Sequence, residues 1–170
     1  MNFKEIVKDV LLTESKELEK AAASISFDIE KAIDLIINSK GKLIVTGVGK
    51  SGLVGTKIAA TLASTGTSSF FLHPTEAMHG DLGMIGKDDI VLGISYSGES
   101  EELIQILPHL KRLNIPLIAM AKSENSTLAK YADVFINIAV DKEACPLDTA
   151  PTSSTTLTMA MGDALAVCLM

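Results

Sequence analysis

Continuous apolar runs separated by helical patterns dominate the chain after its first forty residues. The runs that predict β-strands are residues 42–47, 68–72, 89–95, 115–121 and 134–140. They are apolar throughout rather than at alternate positions, which is typical of strands covered on both faces. The pattern predicts an α/β fold, a three-layer sandwich around a five-stranded parallel sheet with right-handed crossovers. In such sheets, ligands bind beyond the carboxyl ends of the strands.

The beginning of the chain shows helical spacing alone. Apolar residues recur every three or four positions over residues 2–38, and a second stripe starts after Ser26 or Asp28. We therefore divide the chain into N-terminal helices, residues 1–40, and one domain, residues 41–170. We expect the helices to pack on that domain and on further copies of the chain.

Composition narrows the class of protein. Among 170 residues, 47% are hydrophobic and the net charge is −6, which argues against a nucleic-acid binder with a basic face. The two cysteines, Cys145 and Cys168, form no disulfide framework and fit a reducing compartment. No apolar run reaches the roughly 18 residues that span a bilayer, and the charged N-terminus is not a signal peptide. We expect a cytoplasmic protein that binds neither nucleic acid nor membrane.

The sequence TGVGKSG, residues 46–52, directly follows the first predicted strand and admits three interpretations. Its glycines match the G-x-G-x-x-G of dinucleotide folds, but the nearest acid after the second strand is Glu76, beyond a proline. A P-loop would need glycine at Ile44, inside the strand. Both nucleotide interpretations are therefore incomplete. The third interpretation is a sugar-phosphate loop in which Lys50 takes part in the chemistry.

The sequence SYSGES, residues 95–100, lies between a strand and a helix. Its hydroxyls and the free backbone N–H groups of the helix start can form an anion site without a fixed positive charge. The alternative is that Ser97 or Ser100 simply caps the helix. Because this loop and the loop at Lys50 follow strands that we expect to be neighbours, we predict a phosphate between them.

Two further loops carry candidate residues. His73 and His79, with Glu76 between them, could bind zinc, but no third strong ligand has suitable spacing, so a structural loop or a polar substrate contact is favoured. Glu143 is either an active-site base or a solvated acid. Cys145 has no neighbouring pattern of a nucleophile, and we interpret it as a packed thiol.

Four motifs occurring in order give the chain a family resemblance: GVGKSG, HPTEAMHGDLGM, ISYSGESEEL and KEACPLDTAPTSSTT. Together they resemble the sugar isomerase (SIS) domain and, more narrowly, the bacterial D-arabinose-5-phosphate isomerases. The resemblance implies a flavodoxin-like sheet. It also implies interconversion of D-ribulose 5-phosphate and D-arabinose 5-phosphate through an enediol, for synthesis of 3-deoxy-D-manno-octulosonate, a sugar of lipopolysaccharide and some capsules.

The resemblance also implies roles for single residues. The phosphate-binding hydroxyls are those of Ser51, Ser95, Ser97 and Ser100. The groups at the reacting end of the sugar are Lys50, Glu102 and Glu143. Further substrate contacts are His79 and a neighbouring loop with Gly66 and Thr67. No cofactor is required, although the position of His73 can take a zinc that catalysis does not need.

Physical chemistry suggests how the reacting groups work. Partial desolvation would raise the pKa of Glu143 and make it a base. Lys50 would stabilise negative charge on the substrate oxygen. Glu102, in the first turn of a helix, would orient Lys50.

The resemblance extends to assembly and to segments beyond residue 170. Relatives form homodimers or tetramers, and longer ones add an active-site histidine in an HPGG-like segment and a tandem CBS pair. Neither segment occurs in these 170 residues. The last helical pattern stops without a cap, so we expect the natural protein to continue and leave open whether this chain turns substrate over. The alternative function is a regulatory SIS module that binds sugar phosphate without turnover.

Overall fold

The secondary structure follows the predicted alternation of strands and helices. A computed structural model describes residues 2–170. The strands are β1 (Leu43–Gly47), β2 (Ser69–Phe71), β3 (Ile90–Ile94), β4 (Leu117–Ala121) and β5 (Val134–Asn137). The α-helices are α1 (Phe3–Ala23), α2 (Asp28–Ile37), α3 (Gly49–Ser64), α4 (Pro74–Met78), α5 (Glu101–Arg112), α6 (Thr127–Tyr131) and α7 (Ser153–Cys168). A 3₁₀ turn spans Asp81–Met84.

The five strands form one parallel sheet in the order β2-β1-β3-β4-β5. This is the flavodoxin-like order, in which the chain changes direction across the sheet between β1 and β3. The register pairs Gly47 with Ile94 at the ends of these two strands. The loops after β1 and β3 therefore begin side by side, as the sequence predicts.

Two apolar cores lie on opposite faces of the sheet. One core joins the sheet to α2, α3 and α7, and the other joins it to α4, α5 and α6. Every residue of β1, β3 and β4 is buried, which explains why those runs are apolar without alternation. The three-layer α/β sandwich predicted from the sequence is confirmed.

The N-terminal helical pattern divides where the sequence predicts, and one strand boundary needs correction. The helical pattern over residues 2–38 is two helices, and the Oγ of Ser26 accepts the Asp28 N–H at the start of the second. Strand β5 ends at Asn137 rather than at residue 140. There the Asn137 side-chain oxygen accepts the Ala139 N–H at 2.8 Å, a local turn that competes with the ladder.

Helix α1 packs along α7, but its first half projects from the domain. Leu18 and Ala21 contact the core, whereas residues 2–9 are all exposed. Within residues 2–170, no helix combines the length and the apolar character needed to cross a bilayer.

Helices α3 and α7 approach closely at Gly162. A Cβ at this position would lie 2.4 Å from Cγ1 and 2.9 Å from Cγ2 of Ile58, whose side chain is fully buried. We expect Gly162→Ala to lower the free energy of unfolding by about 1–3 kcal/mol, because a packed core cannot absorb the extra methyl group. Urea denaturation measures this change.

Gly83→Ala is the matched control, because a Cβ there meets nothing within 4 Å. We expect it to change stability by less than about 0.5 kcal/mol. Equal midpoints for the wild type and the Gly162 variant would contradict the close approach.

Candidate active site

A cavity of about 340 Å³ opens at the carboxyl edge of the sheet. It lies where α3 and α7 begin, beyond the ends of β1, β3 and β4. Its polar lining comes from side chains that include Lys50, Ser51, Tyr96, Lys122, Lys142, Glu143, Ser154 and Thr158. The structure thus brings Lys50, Ser51 and Glu143 to one cavity.

The start of α3 supplies unpaired backbone donors to this edge. Its N-cap position, Val48, offers no side-chain acceptor, and Gly49 adopts a positive φ of 59°. A Cβ on Gly47 would come within 2.8 Å of the Ile94 carbonyl oxygen, so the turn needs glycine there. The close glycine spacing that resembles a dinucleotide motif therefore serves a tight turn into a helix start. Such a helix start favours an anion.

The loop after β3 is held by its own serines. The buried Ser95 Oγ lies 2.9 Å from the Ser100 Oγ and accepts the Gly98 N–H at 3.1 Å. The exposed Ser97 accepts the Glu99 N–H at 3.1 Å. Ser100 occupies the N-cap position of α5 without making a side-chain capping bond. The simple capping interpretation is therefore not realised, and the hydroxyls of Ser95 and Ser100 instead hold the loop shape.

Glu143 is bound tightly at the start of α7. Its carboxylate accepts the Thr152 N–H at 2.7 Å, the Thr152 hydroxyl at 2.9 Å and the Ser154 N–H at 3.2 Å. The Ser154 hydroxyl donates a further hydrogen bond. The Thr152 Oγ1 also accepts the Ala144 N–H at 2.8 Å, which ties the loop before α7 back on itself.

These contacts correct the expected pKa shift of Glu143. Burial raises the pKa of its carboxyl group, as expected, but the hydrogen bonds from Ser154 and Thr152 outweigh burial, and the pKa lies below its ordinary value. The prediction of a raised pKa was wrong because the sequence does not reveal how many donors converge on this carboxylate.

Helix α1 holds the other side of the same loop. The buried Glu17 carboxylate accepts the Asp141 N–H at 2.9 Å, and Lys20 forms an ion pair with the Asp141 side chain. One turn earlier, Glu14 accepts the Thr156 hydroxyl at 3.0 Å. Sequence reasoning missed these contacts, because the only available signal was a set of charged residues on a helix face near Leu18.

Tyr96 and Lys122 are two further lining residues that the sequence analysis missed. The Lys122 ammonium lies 5.5 Å from the centre of the Tyr96 ring. The Tyr96 hydroxyl accepts the Val140 N–H at 3.3 Å and approaches the Val140 oxygen at 3.5 Å. The sequence did contain a signal for this pair, because Lys122 directly follows the apolar run of β4. Strand β4 lies next to β3, which Tyr96 follows.

The histidines lie outside this cavity. His73 caps α4 through its Nδ1, which accepts the Thr75 N–H at 3.2 Å, and its ring meets Phe71 edge-on. It borders a second cavity of about 480 Å³ that Lys50 also lines. His79 is exposed at the end of α4. In the described part of the chain, no three His, Cys, Asp or Glu side chains cluster as metal ligands. Zinc at His73 stays a prediction.

The other predicted site residues do not line this cavity within one chain either: Glu102, Gly66, Thr67, Ser95, Ser97 and Ser100. Glu102 lies in the first turn of α5 but does not line the cavity, and Lys50 forms no ion pair within residues 2–170, so the expected orientation of Lys50 by Glu102 is not realised. Gly66 and Thr67 precede β2, at the opposite edge of the sheet. Gly66 has φ of 104° and the Thr67 N–H donates to Leu62, so these residues end α3.

Cys145 differs from the packed thiol expected from sequence. It is half-exposed, and backbone N–H groups of Ala150, Thr149 and Leu147 lower its pKa to about 7. The pKa of Cys145 is lowered because the tight loop before α7 brings these N–H groups to the sulfur atom.

Comparison with known proteins gives a family for this arrangement. Residues 35–168 match the SIS domain model. The chain is 54% identical over 157 residues to arabinose 5-phosphate isomerase KdsD of Pseudomonas aeruginosa, covering 92% of this chain and 48% of that protein. It is 50% identical over 169 residues to the probable arabinose 5-phosphate isomerase of Haemophilus influenzae, covering 99% of this chain and 50% of the relative.

A solved structure shows the same fold along nearly the whole chain. The E. coli CFT073 protein c3406, in complex with arabinose 5-phosphate, is 42% identical with a TM-score of 0.96, covering 99% of this chain and 92% of that one. The chain spans about half the length of the curated relatives it matches. With a family model over most of its residues and this structural match, the chain belongs to the SIS domain family.

Proposed function

We propose that this domain is an aldose–ketose isomerase that interconverts D-ribulose 5-phosphate and D-arabinose 5-phosphate. The observation that carries the proposal is one cavity in which Lys50 and Ser51, at the start of α3, face Glu143 at the start of α7. Its support from relatives is their names as arabinose 5-phosphate isomerases and the arabinose 5-phosphate bound to a structure with 42% identity.

The reaction moves a proton between C1 and C2 of the sugar through an enediol. It needs a group that takes and returns the proton and a positive charge near the oxygen that becomes negative. We assign the second role to Lys50, which borders the cavity. Ser51 and the free N–H groups at the start of α3 would bind the phosphate.

Glu143 needs a different assignment from a base with a raised pKa. Its oxygens already accept four hydrogen bonds, and a low pKa makes a carboxylate a weak proton acceptor. We propose that in this state Glu143 positions the Ser154 and Thr152 hydroxyls. It would act as a base only after some of these bonds open. The roles of Glu102, Ser97 and His79 remain predictions.

The wider setting is also part of the proposal. We propose cytoplasmic location and a role in supplying arabinose 5-phosphate for 3-deoxy-D-manno-octulosonate synthesis. The alternative, a regulatory module without turnover, would need only the phosphate-binding loops. The presence of Lys50 and Glu143 on one cavity favours the enzyme.

We further propose that copies of the chain associate through the projecting half of α1. Four of its exposed apolar side chains recur at helical spacing: Phe3, Ile6, Val7 and Leu11. Monomeric proteins seldom leave such a continuous stripe uncovered, and closed homo-oligomers are the usual way to bury one.

Isomerisation can be followed as arabinose 5-phosphate formed from ribulose 5-phosphate. We expect Lys50→Ala to reduce the rate by about 10²–10⁴, the usual contribution of one electrostatic or acid–base group. The assay uses the 170-residue chain and the same chain extended to the length of its relatives, because a chain can bind the sugar phosphate without converting it. Calorimetry with arabinose 5-phosphate measures binding by the short chain.

Lys57→Ala is the matched control, since Lys57 lies on the same helix but pairs with Asp163 outside the cavity. It should leave the rate unchanged. Wild-type turnover in the Lys50 variant would exclude its role. Binding without product in both chain lengths would favour the regulatory alternative.

The hydrogen bonds of Glu143 predict a pH-dependent contribution to stability. Because its folded pKa is below the ordinary value of 4.5, the contribution is complete above that value and is lost as the pH falls through the lowered pKa. Glu143→Gln should lower the free energy of unfolding near neutral pH by about 1–2 kcal/mol. The difference from wild type should shrink below about pH 4.

Urea denaturation across pH measures both effects. Glu124→Gln, the same charge change at an exposed residue, should alter stability by less than about 0.5 kcal/mol. A constant difference between wild type and Glu143→Gln across the acidic range would contradict the assignment.

The α1 surface predicts an oligomer that one charge disrupts. Sedimentation at micromolar concentration should give a mass of two or four chains for the wild type and one chain for Leu11→Glu, because a carboxylate would be buried unpaired. Lys16→Ala, the same charge change on another side of the helix, should leave the mass unchanged. A monomeric wild type would rule out this association.

A further inference from the structure

Lys122 is fixed beside Tyr96 by the sheet itself. The register pairs Ile94 of β3 with Met120 of β4, and the Lys122 N–H continues the ladder by donating to the Tyr96 oxygen at 2.9 Å. Side chains alternate between faces along a strand. Ile94 and Met120 belong to the core under α3 and α7, so two residues later Tyr96 and Lys122 emerge on that same face, at the cavity.

The two side chains differ in how firmly they are held. The half-buried Tyr96 is anchored by its hydroxyl to the Val140 backbone. Burial raises the pKa of its phenol, so the ring remains neutral at physiological pH. The exposed Lys122 makes no ion pair within residues 2–170, and its ammonium rests over the Tyr96 ring. An exposed cation–π contact contributes only about 0.5–1 kcal/mol, less than a hydrogen bond between two charged groups.

The charges of the cavity lining are unevenly distributed. The acids Asp141, Glu143 and Asp148 all come from the loop before α7, which also carries one lysine, Lys142. Lys50 follows β1 and Lys122 follows β4, and β3 lies between these two strands. The two lysines therefore flank the end of β3. A dianion would be attracted to the space between them.

We propose that Lys122 leaves the Tyr96 ring when a sugar phosphate enters and binds its phosphate group, while Lys50 contacts the reacting end of the sugar. The inference rests on the proposed function in taking a sugar phosphate as the ligand. Lys122 is then a binding residue that determines selectivity for phosphorylated over neutral sugars. Tyr96 holds the ammonium at the cavity while the site is empty.

Calorimetry on the 170-residue chain tests the contact with three probes: arabinose 5-phosphate, inorganic phosphate and arabinose. Lys122→Ala should weaken the binding of both phosphate-containing probes by about tenfold, which is the effect of losing one charge-assisted hydrogen bond. Lys122→Arg should restore most of the affinity, because guanidinium also binds phosphate. Where turnover is measurable, Lys122→Ala should raise KM and leave kcat nearly unchanged.

Lys87→Ala is the matched control, because Lys87 precedes β3 at the opposite edge of the sheet. It should bind all probes like the wild type. Unchanged affinity for both phosphate probes in Lys122→Ala, or a loss for arabinose 5-phosphate but not for inorganic phosphate, would overturn the phosphate contact alone. A wild-type chain that binds neither phosphate probe would overturn both this inference and the proposed function.

Tyrosine emission gives a second readout that needs no catalysis. The chain has two tyrosines, Tyr96 and Tyr131, and no tryptophan. Phosphate binding should change the emission of the wild type and of Tyr131→Phe as the ammonium leaves the Tyr96 ring. The change should be absent from Lys122→Ala, and an equal change in that variant would contradict the displacement.

Discussion

The carboxylate of Glu143 and the first turn of α7 hold each other in place, and the cavity depends on that contact. Strand β5 ends early, and a long loop must return to the sheet edge before α7 can start. The Glu143 carboxylate in that loop accepts hydrogen bonds from the N–H groups at the start of α7, which would otherwise lack a partner. The loop is thereby fixed close to the ends of β1 and β3. Its acidic side chains then face the lysines that follow β1 and β4.

The same arrangement separates functions along the sheet edge. The start of α3 offers unpaired donors, whereas the start of α7 already has an anion from the chain itself. A bound phosphate is therefore expected at α3 rather than at α7, because of these two helix starts only that of α3 has free donors. The serines after β3 contribute differently, since Ser95 and Ser100 bind one another and keep that loop in its shape. The sheet edge thus combines an anion site at the start of α3 with loops whose polar groups already hydrogen-bond to one another.

The sequence predicts the sheet well because strand burial is recorded locally. Runs such as residues 89–95 are apolar at every position, which indicates a strand covered on both faces. The missed features are contacts between distant segments: a carboxylate of α1 meets Asp141 across 124 positions of the chain, and no periodicity reveals that pairing. The error at Glu143 has the same origin, because the number of donors around it depends on how the loop folds. Tyr96 and Lys122, by contrast, could have been paired by extending the strand alternation one step beyond each apolar run.

Helix α1 has a consequence for where this domain can be divided. Its 21 residues make a rod about 30 Å long, with exposed apolar side chains at one end and contacts to the cavity loop at the other. The family match begins only at residue 35, so a chain trimmed to that boundary would retain every strand yet lose the contacts to Asp141 and Thr156. Since a helix is stiff, a partner bound at its outer end would also constrain the loop. The smallest functional unit therefore includes α1 and is larger than the segment that the family model matches.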